Sequence, residues 1–232
     1  WGRVERISPE APVPVVQVEE ESLVLGGAGN VVNNIISLGG QALLCGVIGN
    51  DAMGRELIHI LQRMHSPTHG LVIEDRRPTT IKTRVVAHSQ QVVRVDREER
   101  EHVTEASIES ITHTVKNQLD SIDAIVVADY AKGVVTRSLM DGLRSLGQGG
   151  QTILAVDPTI RNVALYKDVT LITPNNYEAQ QMAGIQIEDD QSLRLAGAHL
   201  LEELGCQTVL ITQGDKGMTL FEGNGETTQI PT

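Results

Sequence analysis

Four short segments combine small residues with polar ones in patterns that suit ligand chemistry. Gly26-Gly27-Ala28-Gly29-Asn30 runs into an apolar series at helical spacing, Val31, Val32, Ile35, Ile36 and Leu38, so its glycines open a helix N-terminus where a ligand can approach the backbone. Asn30 and Asn34 lie one turn apart and present amides suited to hydroxyl groups, the chemistry of polyol recognition. A tight turn with solvated asparagines accounts for the same residues. A dinucleotide site does not, because the third glycine of G-x-G-x-x-G would fall on Val32 and no well-formed strand comes immediately before.

Asp129-Tyr130-Ala131-Lys132-Gly133 follows the apolar run Ala124 to Ala128. Asp129 can accept from sugar hydroxyls and Lys132 can face a phosphate, whereas a cap and a solvated lysine are the plainer readings. Thr173-Pro174-Asn175-Asn176-Tyr177-Glu178 gathers amides and a carboxylate at a helix start, where Asn175 also serves as a cap. Thr212-Gln213-Gly214-Asp215-Lys216-Gly217 can lay backbone amides and a hydroxyl against phosphates. A glycine hairpin between Ile211 and Met218 explains it equally.

The elements that must position these segments alternate along the chain. The strand Ala42 to Ile48 is followed by a helix capped by Asp51, with Met53, Leu57, Ile58, Leu61 and Met64 on one face. From about residue 104 the order is a helix to Leu119, strand Ala124 to Ala128, helix Thr136 to Leu146 and strand Thr152 to Val156. Then come strand Val169 to Ile172, helices Glu178 to Ala183 and Gln191 to Leu204, and strand Thr208 to Ile211 with its hairpin partner Met218 to Phe221. That rhythm predicts an α/β fold with a doubly wound, mostly parallel sheet and ligands at the carboxyl ends of its strands. Residues 79 to 95 differ, because Ile81, Thr83, Val85, Val93 and Val95 alternate with Lys82, Arg84, Arg94 and Asp96, the period of a two-faced antiparallel hairpin. With residues 13 to 18, whose Pro14 belongs at a sheet edge, they are expected to form a small β-sheet lid, spanning about 10 to 20 and 78 to 96, whose exposed face dimerises.

Composition narrows the classes. Hydrophobic residues make up 40% but aromatics only 2%, so Val, Ile, Leu and Ala must fill the core, as in parallel strands buried on both faces. A formal net charge of -11 argues against a sequence-independent grip on nucleic acid. No apolar run reaches the length of a membrane span and no leader opens the chain, which reads as cytoplasmic. Cys45 and Cys206 are far apart with no CxxC spacing and are read as reduced core or near-core residues. His65 and His69 are separated by Pro67, which breaks the helix that would align them on a metal, and no G-x-S-x-G supports hydrolase chemistry.

Gly26 to Asn30, then Gly39 and Gly49, resemble the N-terminal signature of the ribokinase-like carbohydrate kinases, with Val32 standing where a small residue is usual. Arg6-Ile7-Ser8-Pro9-Glu10-Ala11-Pro12-Val13-Pro14-Val15 is similar to a stretch characteristic of the heptose 7-phosphate kinase domains of bacterial ADP-heptose synthases. So are Pro78-Thr79-Thr80, Lys82, Arg84, Gln90-Gln91, Arg94, Asp96 and Asp129 to Gly133. Thr159 and His88 depart from that pattern, standing where Lys and Arg are common.

The resemblance implies a sugar kinase that uses ATP and Mg2+ on a sugar phosphate, as a homodimer through the lid sheet, with no nucleic-acid or membrane partner. It implies substrate binding by Gly26, Gly27, Asn30, Arg94, Asp129 and Lys132, with lid contacts from Lys82, Arg84 and Gln91. Asn175, Asn176, Tyr177, Glu178, Thr212, Gly214 and Gly217 would serve ATP and its phosphates, and Asn175 with Glu178 would hold the metal through water, a donor set suited to a hard cation that keeps its hydration shell. The family's Gly-Ala-Gly-Asp, whose aspartate is the base, does not occur, and Gly27-Ala28-Gly29-Asn30 ends in an amide that cannot take the proton. With Trp1 at one end and Pro231-Thr232 after a strand-like stretch at the other, the chain reads as an incomplete kinase domain, expected to be inactive alone.

Overall fold

The computed structural model describes residues 1–147 and 152–232. The first half of the chain builds a small sheet and one βα layer; the second half builds the main sheet. Strands β1 (Gly2–Ile7) and β2 (Pro14–Val18) pair antiparallel, with an irregularity between Val4 and Arg6. Helix α1 (Ala28–Ser37), strand β3 (Gly46–Gly49), helix α2 (Ala52–Arg63) and strand β4 (Leu71–Glu74) follow, and β3 and β4 form a separate parallel pair. Strands β5 (Ile81–Ala87) and β6 (Gln90–Arg97) then make a hairpin, and the small sheet runs in the order β2-β1-β5-β6. Pro14 sits on its edge strand, where its missing N–H leaves no ladder bond unmade.

The second half runs α3 (Glu105–Gln118), β7 (Ala124–Ala128), α4 (Arg137–Gly147), β8 (Ile153–Asp157), a 3-10 segment Ile160–Leu165, β9 (Leu171–Ile172), α5 (Asn176–Ala183) and α6 (Asp190–Leu204). It ends on β10 (Thr208–Thr212), β11 (Met218–Glu222) and β12 (Thr227–Ile230). The main sheet has the order β12-β11-β10-β9-β8-β7, parallel from β7 to β10 and antiparallel beyond. Val156, Ile172, Val209 and Ile211 of its strands and Met140, Ala179, Ala196 and Leu200 of its helices have no solvent exposure. The core is therefore aliphatic, and each fully buried branched side chain contributes on the order of 1.5–3 kcal/mol relative to exposure.

Local chemistry sets the boundaries. Asp51 caps α2 by accepting from the Gly54 N–H at 2.8 Å, and its other oxygen takes the Thr79 N–H at 2.9 Å, which pins the start of β5 to the helix. Asp189 and Ser192 form a reciprocal capping box on α6, and Gly205 ends that helix in the left-handed conformation.

Four elements differ from the sequence expectation. The strand expected at Ala42 to Ile48 is confined to Gly46–Gly49, and that expected at Val169 to Ile172 to Leu171–Ile172. β1 and β4 were not among the expected strands. In β1 the alternation is carried by small and charged residues, with Gly2 and Val4 half-buried and Arg3 and Glu5 exposed, a weak period-two signal beside two prolines. β4 has four residues, too short for alternation to register.

Candidate functional site at the strand ends

The carboxyl ends of β7, β8, β9 and β10 lie side by side in the main sheet and deliver Asp129, Asp157, Asn175 and Thr212 in that order. Asp129 follows β7 with its backbone N–H on the Asp157 carbonyl at 3.0 Å. Its carboxylate is 5% exposed and accepts from three donors: the Ala131 N–H at 2.7 Å, Asn162 Nδ2 at 2.7 Å and the Tyr166 hydroxyl at 2.6 Å. Tyr166 has no exposure; burial first, then its bond to Asp129, pushes its hydroxyl well above the usual range, so it stays a donor. These bonds fix the 3-10 segment and the Ala131 turn (φ 52°) against the end of β7.

The Gly26 to Asn30 turn reaches the same end from the other half of the chain. Gly27 caps α1 at φ 53°, ψ −134°, a conformation closed to L side chains, and a Cβ there would lie 3.5 Å from the Tyr130 ring. Asn30 and Asn34 are exposed on the first turns of α1, and Val32 is buried with Leu44 and Leu61 beneath the helix. Tyr130 is half exposed, and its hydroxyl is pushed up by burial and by the charges of Asp157 and Glu178. Asp157 itself is pushed up by burial, then by Glu178 and Asp129. Three carboxylates thus share one end of the sheet, and among the described residues none of them has a cation within 4 Å as an ion-pair partner.

Asn175 and Glu178 form a reciprocal capping box on α5: Asn175 Oδ1 accepts from the Glu178 N–H at 2.9 Å, and Glu178 accepts from the Asn175 N–H at 2.8 Å. The cap uses one oxygen of each, leaving Asn175 Nδ2 and Glu178 Oε1 without a protein partner among the described residues. Asn176 Oδ1, on the first turn of α5, is buried and unpartnered. The mutually repelling carboxylates Asp157, Glu178 and Asp129, with the free amide of Asn175 beside Glu178, suit a hydrated hard cation. Among the described residues no three His, Cys, Asp or Glu converge as direct ligands, so such an ion would be reached largely through water. Thr212 pairs with Asn175, its N–H on the Pro174 carbonyl at 3.0 Å. Gly214 (φ 62°) and Gly217 (φ 86°) bound the turn behind it, on the far side of the row from Asp129. Tyr177 is 64% exposed and points away from the core.

The small sheet has two unlike faces. The pairings Lys82↔Asp96, Arg84↔Arg94 and Val86↔Gln91 put Lys82, Arg84, Arg94 and Gln91 on one side, and Thr83↔Val95 and Val85↔Val93 put the valines on the other. The Lys82 end of the charged side reaches the loop after β7 through Glu98, just past β6, which lies 2.5 Å from Lys132 Nζ and 3.7 Å from Lys82 Nζ. Lys82 and Arg94 are also paired to Asp96, at 3.3 and 3.0 Å. Arg84 has no carboxylate partner among the described residues. His88 sits at the tip of the β5–β6 hairpin (φ 49°), its ring on the Val4 carbonyl at 3.3 Å, and the Thr159 N–H bonds the Tyr166 hydroxyl at 3.1 Å.

Neither Tyr130 nor Asp157 is among the site residues expected from the sequence, though both obey the strand-end rule that selects Asp129. Arg77, Glu98, Asn162 and Tyr166 carried no periodic or motif signal.

Compared with known proteins, residues 1–232 match the family model described as pfkB family carbohydrate kinase. The chain belongs to the pfkB family of carbohydrate kinases. It is 43% identical over 226 residues to the bifunctional protein HldE of Desulfatibacillum aliphaticivorans, covering 97% of this chain and 46% of that protein. It is 43% identical over 232 residues to the HldE protein of Citrifermentans bemidjiense, covering 100% and 48%. The chain thus spans about half the length of these curated relatives. Among solved structures it is similar to Arabidopsis thaliana ribokinase complexed with ribose and ATP (TM-score 0.75, 17% identity, 99% of this chain and 73% of that one). It is also similar to Escherichia coli phosphofructokinase-2 in complex with substrates and products (TM-score 0.68, 18% identity, 99% and 74%). This pfkB-family chain has the ribokinase-like α/β fold. No helix among the described residues is long and apolar enough to cross a membrane.

Proposed function

We propose that the protein transfers the γ-phosphoryl group of ATP to the anomeric hydroxyl of D-glycero-D-manno-heptose 7-phosphate, in cytoplasmic ADP-heptose synthesis for the lipopolysaccharide core. Family membership and the HldE relatives support a sugar kinase. The observation that carries the phosphorylated acceptor is Arg84, a cation without a carboxylate partner among the described residues beside Arg94, on the face of the small sheet whose Lys82 end reaches the loop after β7 through Glu98. An unphosphorylated sugar offers a guanidinium only neutral hydroxyl acceptors, whereas a phosphate takes it through two parallel charge-assisted bonds.

In this reading the small sheet is a lid. Gly26 and Gly27 let the sugar approach the backbone, Asn30 orients its hydroxyls, and Asp129 holds the loop that carries Tyr130 and Lys132. Asn175, Asn176, Tyr177 and Glu178, with Thr212, Gly214 and Gly217, receive the nucleotide phosphates. Glu178 and Asn175 would hold Mg2+ through water, where it would supply charge neutralisation for those phosphates. The Gly-Ala-Gly-Asp whose aspartate is the base in the family does not occur in these 232 residues. Thr159, in place of the usual Lys, favours a kinase for a related sugar phosphate as the second reading.

The test is ADP release by the full-length protein with ATP, Mg2+ and a panel of acceptors. Heptose 7-phosphate is expected to exceed free heptose by about 100-fold in kcat/KM, short of the roughly 10⁴-fold at which buried, unpaired polar groups reject an analogue, because Arg84 and Arg94 are exposed. Equal rates with both sugars would remove the phosphate from the account.

A further inference from the structure

Lys132 stands in the motif that suggests a phosphate contact, yet its side chain is only 19% exposed and is already taken by Glu98. Glu98 lies on the stretch by which the chain leaves β6 and returns to the main body, and its own side chain is 10% exposed. Its Oε1 accepts from Arg100 at 2.7 and 2.9 Å. Its Oε2 is buried and has no aligned hydrogen bond; it is met only by the ammonium groups of Lys132 at 2.5 Å and Lys82 at 3.7 Å. Lys132 foremost and then Arg100 lower its carboxyl pKa to about 2, so it is ionised at any working pH.

The backbone around this pair is clamped as well. Arg77, 9% exposed, donates to the Lys132 carbonyl at 3.0 Å, to the Glu99 carbonyl at 3.3 Å and to the Glu101 carbonyl. The Val103 N–H bonds the Gly133 carbonyl at 3.1 Å. Gly133 (φ 81°) is so close to this strap that a Cβ would overlap the Glu101 carbonyl oxygen. Residues 98 to 103 and 132 to 133 thus form one junction, and among the described residues the Glu98–Lys132 pair is the side-chain ion pair that joins its two segments.

We propose that Glu98 and Lys132 are positioning residues, a charge latch that sets how the small sheet sits over the strand ends, and that the acceptor's phosphate is left to Arg84 and Arg94. This rests on the kinase reading for its kinetic arm only. A carboxylate that is one-tenth exposed and meets three cations is not readily traded for a ligand, so Lys132 acts through the lid and not on the phosphate.

The test uses E98Q, K132M, the E98Q/K132M double variant and K132R in the full-length protein. Acceptor KM and kcat are measured on heptose 7-phosphate, and trypsin cleavage after Arg97 and Arg100 is followed without substrate. Each of E98Q and K132M is expected to raise acceptor KM about five- to tenfold, with the double variant no worse than either, the pattern of a shared interaction. kcat changes less than twofold, cleavage at the junction quickens, and K132R stays near wild type in both readouts. A K132M effect of 100-fold or more beside an unchanged or lowered KM in E98Q would overturn the latch and return Lys132 to the phosphate. If the wild type phosphorylates no heptose 7-phosphate, the kinase reading fails separately, and cleavage decides: faster in both single variants supports the latch, unchanged in both overturns it.

Discussion

Tyr166 has no solvent exposure, and its hydroxyl spans the Asp129 carboxylate at 2.6 Å and the Thr159 N–H at 3.1 Å. Tyr166→Phe removes one of three donors from a buried carboxylate and is expected to destabilise the fold by about 1–3 kcal/mol. A thermal midpoint within 1 °C of wild type would show the bond to be dispensable. Asp157 carries the opposite message. Burial, Glu178 and Asp129 raise its carboxyl, so its contribution to stability is present below the unfolded value and is lost as pH rises through the folded one. Asp157→Asn should therefore raise the thermal midpoint more at pH 7 than at pH 4, and an equal shift at both would contradict the repulsion. The place of Asp129 at the end of β7 was legible because the apolar run Ala124 to Ala128 stops just before it. Its partner Asn162 lies in an aperiodic 3-10 segment and Tyr166 just past it, where spacing says nothing about which side chains converge.

At the level of elements, the small sheet shows how far period two carries. The alternation in residues 81 to 95 separates its faces correctly, because register pairs like with like: Val85 with Val93, Thr83 with Val95, Lys82 with Asp96. What it does not show is β1, which inserts between β2 and β5 and whose pattern is diluted by Gly2 and Arg6. The apolar face remains unpartnered, with Val18 58%, Val93 46% and Val95 57% exposed, and we expect a second copy of the chain to cover it. Val95→Asp, aimed at the centre of that face, should give a monomer by light scattering with an unchanged circular dichroism spectrum. A dimer that survives the charge would place the interface elsewhere.

On the scale of the molecule, charge is divided unevenly between the two sheets. The strand ends carry Asp129, Asp157 and Glu178, whereas the charged side of the small sheet carries Lys82, Arg84 and Arg94, with Asp96 and Glu98 pairing Lys82 and Arg94 and leaving Arg84 without a carboxylate among the described residues. Net charge, -11 for the chain, conceals this division, which the fold produces by bringing together residues distant in sequence. It suits a reaction in which a hydrated cation and nucleotide phosphates lie on one side and an acceptor bearing its own phosphate on the other. The most direct measurement is phosphorus NMR of the product made by full-length protein from ATP, Mg2+ and heptose 7-phosphate. The account predicts a second sugar phosphate resonance, coupled to the anomeric proton, growing in step with ADP. ADP formed with inorganic phosphate and no new sugar phosphate, or a new phosphate on any other carbon, would contradict it.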